Sequence, residues 1–106
     1  MTEWLRETWL ARRVRKAQYL WQSRGGRPVD ARLMLDVTFD WMIDAKSALC
    51  RTGFHAEEYD VVTIANEWVD QAEDAMRRRD VDQVRAITLP ALERIHTILV
   101  RAESAS

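Results

Sequence analysis

Apolar positions recur along this chain at helical spacing, in four blocks separated by short polar or glycine-bearing breaks. In the first block Leu10, Val14, Ala17 and Trp21 share one face at the i, i+4, i+7, i+11 spacing. The second, about 29–52, is apolar around most of its circumference. Met34, Val37, Trp41, Ala45, Ala48 and Leu49 lie together there, with Leu35 and Met42 beside them, so this helix is expected to be the most buried. The third, about 55–79, is two-faced, with Val61, Ala65, Trp68, Ala72 and Met76 opposing Asp60, Glu67 and Asp74. The fourth gathers Val84, Ile87, Ala91, Ile95, Ile98 and Ala102 on one side. Pro90 falls on its wet side, where water replaces the lost backbone hydrogen bond, which predicts a bend rather than a stop.

The breaks carry their own chemistry. "SRGGRP" (23–28) joins a glycine helix stop to a proline that can open the next helix, and Gly53 in "RTGFH" suits a left-handed C-terminal cap. In "RRRDVDQV" (77–84) three arginines complement the negative end of a closing helix, and Asp80 reads as an N-cap with Gln83 completing a capping box. Alternating runs and hairpin pairs are missing from the sequence. Short connections favour antiparallel neighbours, so the expected fold is all-α. It is one domain over residues 1–106, a compact up-down bundle of about four helices with the fourth bent at Pro90.

Composition adds two constraints. The sequence has no apolar run long enough to span a bilayer and a single cysteine, Cys50, which together point to a cytoplasmic protein without an internal disulfide. The net charge of −1 conceals segregation: +5 over residues 1–27, −8 over 28–76 and +2 over 77–106.

Catalytic and cofactor chemistry finds little footing. "ERIH" (Glu93–His96) matches the Glu-x-x-His unit of di-iron bundles, which need it twice, and its side chains are expected on the polar side of the fourth helix. "HAEE" (His55–Glu58) opens a helix, where acidic residues serve the dipole. Cys50, near the end of the most apolar block, suits a small core residue better than a reactive thiolate. "SRGGRP" lacks the strand and the Gly-Lys-Ser/Thr ending of a phosphate loop. The expectation is a non-enzyme with no catalytic residues, no cofactor, no metal and no small-molecule substrate.

Two charged features remain. Asp36, Asp40 and Asp44 recur every fourth residue, about 6 Å of rise apart. Like charges at that spacing cost a few tenths of a kcal/mol per pair (roughly 0.2–0.5), so something must offset them. Either Arg6 and Arg13 of the N-terminal helix pair with them, or they form a negative strip that docks on a basic, nucleic-acid-binding surface of another protein. The first block itself, "LARRVRKAQYLW" (10–21), interleaves Arg12, Arg13, Arg15 and Lys16 with Tyr19, and Trp9 lies just before it. Cations for phosphates and flat rings for unstacked bases are what a single strand of nucleic acid requires. A solvated charged face is the plainer reading of the same residues.

With its blocks "LARRVRKAQYLW" and "DVTFDWMIDAK" (36–46), its segregated charge and its small helical domain, the chain resembles the small inhibitors of CRISPR type I (Cascade) systems encoded by phages and mobile elements. The resemblance implies stoichiometric blocking without catalysis. The expected partners are single-stranded nucleic acid, engaged by Trp9, Arg12, Arg13, Arg15, Lys16 and Tyr19, or a CRISPR effector complex, engaged by Asp36, Asp40 and Asp44.

Overall fold

A computed structural model describes residues 28–105, which form three helices: α1 (Pro28–Arg51), α2 (His55–Arg77) and α3 (Val81–Ala105). There is no strand among the described residues. The first of the four expected helices, and with it Trp21, lies outside them.

Local chemistry accounts for the helix ends. Pro28 opens α1, where its missing N–H would have had no helical partner. At the other end Phe54 N–H reaches back to the Leu49 carbonyl at 3.0 Å while Gly53 takes φ 83°. This is the glycine closure that the sequence anticipates. The α2–α3 corner closes in the same way, Asp80 N–H bonding the Ala75 carbonyl at 2.9 Å, but here Arg79 occupies the left-handed position at φ 55°. A side chain is strained there, and the sequence offered no glycine to mark it. Asp80 then caps α3, its carboxylate accepting from Gln83 N–H at 3.1 Å.

α2 is the shared element: it packs along both α1 and α3, which meet each other only briefly. One core joins all three, centred on Leu35, Met42 and Leu49 of α1, Val61 and Trp68 of α2, and Val84, Leu92, Ile95 and Leu99 of α3. Each fully buried leucine contributes about 1.5–3 kcal/mol relative to exposure. Trp41 and Trp68 are buried, as expected. One polar link crosses this core. Trp68 Nε1–H donates to Thr88 Oγ1 at 2.9 Å, and the Thr88 hydroxyl donates in turn to the Val84 carbonyl at 2.6 Å. Both side chains are buried, so each satisfies a group that would otherwise be costly to desolvate.

Three expectations are corrected. In α1 the buried stripe runs through Ala31, Leu35, Thr38, Met42, Ala45 and Leu49, whereas Val37 is 40% exposed and Met34 only half-buried. The apolar residues of α1 nearly encircle it, so periodicity alone could not choose which face turns inward. In α3 the expected Val84, Ala91, Ile95, Ile98 and Ala102 are buried and Ile87 is at the edge, but the buried face is wider than expected: it takes in Thr88, Leu92 and Leu99 and also His96, expected on the polar side, while Glu93 stays exposed. Cys50, expected in the core, is exposed, because it follows Leu49 by one residue and so turns about 100° away from the stripe. Pro90 does sit on the exposed side of α3, which continues through it without a stop.

Candidate functional site

The outward side of α1 is built from two interleaved residue types. Asp36 and Asp40 lie on the exposed face, and Asp44 is half-buried at its edge. Around them Leu33, Val37, Phe39 and Ile43 are 64%, 40%, 39% and 43% exposed. A solvated helix face rarely needs so many large apolar residues, whereas an interface does.

The Arg32 guanidinium sits closer to Glu73 than to Asp36. Arg32 donates to both Glu73 oxygens at 2.8 and 2.9 Å, across the α1–α2 seam, and approaches Asp36 only at 4.0 Å. The hydrogen bond to Glu73, then that carboxylate's charge, raise the guanidinium pKa above its ordinary value. Beside this pair a groove of about 190 Å³ runs between α1 and α2, rimmed by Asp36, Phe39, Val69 and Glu73 over Leu35 and Trp68. Apolar surface with an acidic border therefore continues from the helix face into the seam.

The other seam of α2 differs. Between α2 and α3 lies a wider groove of about 410 Å³, edged by Asp60, Thr63, Arg94, Thr97 and Arg101. Its edge is polar, with two arginines on α3 against one aspartate on α2.

A third feature lies at the α1–α2 turn. Reversal of the chain at Gly53 brings Cys50, in the last turn of α1, beside the first turn of α2. A sulfur of Cys50, a ring nitrogen of His55 and a carboxylate oxygen of Glu58 all lie within 4.8 Å of one another. His55 Nδ1 stands 3.2 Å from Glu58 Oε1, and Lys46 Nζ stands 3.8 Å from Glu58 Oε2. From spacing alone Cys50 is expected in the core and "HAEE" at the helix dipole, with nothing to join them. The signal available was the spacing Cys-x4-His-x2-Glu across a glycine turn. By contrast Glu93 and His96 of "ERIH" part company, one exposed and one buried.

Trp9, Arg12, Arg13, Arg15, Lys16 and Tyr19, the expected nucleic-acid-binding set, lie outside the described residues, as do Arg6 and its expected pairing with the aspartates. No described helix is long and apolar enough to cross a membrane. Compared with known proteins, the chain matches no family model, no curated protein and no solved structure.

Proposed function

We propose that this protein is a non-enzymatic inhibitor that acts by docking the outer face of α1 on a basic protein surface, of the kind that binds nucleic acid. The observation that carries the reading is the placement of Asp36 and Asp40 on an exposed face beside Leu33, Val37 and Ile43. Carboxylates at one-turn spacing imitate the repeating charge of a phosphate backbone, and the apolar residues between them supply the contact area that charge alone does not. The resemblance to inhibitors of CRISPR type I systems makes the nucleic-acid site of an effector subunit the first target to test.

A second reading rests on the +5 charge of residues 1–27 together with Trp9 and Tyr19. There the first block binds single-stranded nucleic acid directly, with Arg12, Arg15 and Lys16 on phosphates.

One experiment separates the two. Purified type I effector complex is mixed with the full chain, and its binding to labelled target DNA is followed by fluorescence anisotropy. Under the docking reading the wild type competes with DNA, while Asp40→Lys and Ile43→Lys each weaken competition at least roughly tenfold, the cost of one interface hot spot. Both variants keep wild-type stability to within about 0.5 kcal/mol, as surface substitutions do. Direct binding of the isolated chain to a labelled single strand, with affinity falling about 0.7 log units per log salt for each phosphate contacted, favours the second reading. A wild type that neither competes nor binds the strand rejects both.

A further inference from the structure

We propose that Cys50, His55 and Glu58 form a zinc-class metal site that clasps the turn between α1 and α2. Thiolate, imidazole and carboxylate together are a borderline-soft N/S/O donor set, which suits Zn²⁺ and excludes the hard, all-oxygen preference of Mg²⁺ and Ca²⁺. Bonds of 2.0–2.3 Å in a tetrahedral zinc complex place neighbouring donors about 3.3–3.8 Å apart. His55 Nδ1 and Glu58 Oε1 already stand 3.2 Å apart, and the whole donor set lies within 4.8 Å. Closing onto an ion therefore asks only for side-chain rotation, and exposed Cys50 and His55 have room to rotate.

His55 and Glu58 sit three residues apart on one helical turn, so they share a face, and Cys50 is presented to them from the end of another helix. Lys46 faces the second oxygen of Glu58 at 3.8 Å, where it orients the carboxylate as an outer partner does in established metal sites. Charge also balances. Binding releases the Cys50 thiol proton to solvent, and the resulting thiolate and the Glu58 carboxylate cancel the two charges of the ion while the imidazole stays neutral. Three protein donors leave a fourth position for water. Because the ligands converge only in the folded chain, the ion stabilises the folded state.

The test is a cobalt titration of the full-length protein under reducing conditions, with cobalt as the spectroscopic stand-in for zinc. The expected result is a thiolate-to-cobalt charge-transfer band with intense visible d–d bands, saturating at one ion per chain and abolished by zinc. Zinc affinity, measured calorimetrically, falls at least roughly tenfold in Cys50→Ser, His55→Ala and Glu58→Gln, whose folding is checked by circular dichroism. Zinc also protects wild-type Cys50 from iodoacetamide and raises the thermal midpoint of the wild type but not of Cys50→Ser. Absence of the charge-transfer band in excess cobalt overturns the proposal. So does wild-type zinc affinity in both His55→Ala and Glu58→Gln, which leaves the cysteine binding metal alone.

Discussion

Along its α1 side, α2 sets Val69 and Ala72 against Leu35 and Phe39, and the groove they leave is apolar with Asp36 and Glu73 at its rim. Along its α3 side, it sets Ile64 against Ile98 beneath a groove edged by Arg94 and Arg101, and a buried hydrogen bond from Trp68 to Thr88 ties the two helices together. The α2–α3 seam is thus pinned inside and polar outside. The α1–α2 seam carries the ion pairs Arg32–Glu73 and Lys46–Glu58 toward the surface, and its apolar residues reach the edge. An internal hydrogen bond specifies how two helices register, because misalignment would bury an unsatisfied donor. Surface ion pairs contribute little to stability. Under the docking reading, the α1 side is the one that meets a partner.

Trp68 belongs to both seams, so removing it gives the largest effect. Trp68→Ala should destabilise by about 3–5 kcal/mol in denaturant unfolding, as large aromatic truncations in cores do. A loss under about 1 kcal/mol would break the picture of a single core shared through α2.

Thr88→Val sharpens the contrast, because it keeps side-chain volume in the α2–α3 seam while taking away the acceptor for Trp68. A cost of about 1–3 kcal/mol is expected from the stranded indole N–H. Thr88→Ser, which retains the hydroxyl, should cost less than Thr88→Val. Equal losses in the two variants would assign the effect to packing and erase the difference between the seams.

The smallest effect lies at the corner where α2 leaves for α3. Hydrogen bonding from Arg78, then its charge, lower the Asp74 pKa, with Arg77 adding to the effect. A lowered folded-state pKa means that this stabilisation is present above the ordinary aspartate range and disappears as pH falls through the folded value. Asp74→Asn should therefore lower the thermal midpoint slightly at neutral pH and not at all in acid. Asp74 is on the surface, so the neutral-pH shift should be smaller than that of Thr88→Val, and high salt should shrink it. A shift that persisted in acid would point to a packing role for this corner.

Much of this fold was legible locally. Helix boundaries followed from Pro28, Gly53 and the Asp80 cap, and the inward face of α2 from its two-faced pattern, because caps and amphipathic stripes act over one or two turns of chain. The candidate docking strip was legible for the same reason: Asp36 and Asp40 share a face at any tertiary arrangement of the helix. What the tertiary structure decided was rotation and proximity. α1 is apolar nearly all round, so only packing against α2 could turn Thr38 inward and leave Val37 and Ile43 exposed. The Trp68–Thr88 bond joins residues twenty apart on different helices, and the meeting of Cys50 with His55 and Glu58 depends on how the chain reverses at Gly53. Sequence spacing determines which side chains share a turn of helix, whereas which helix faces touch is set by the burial of the whole core.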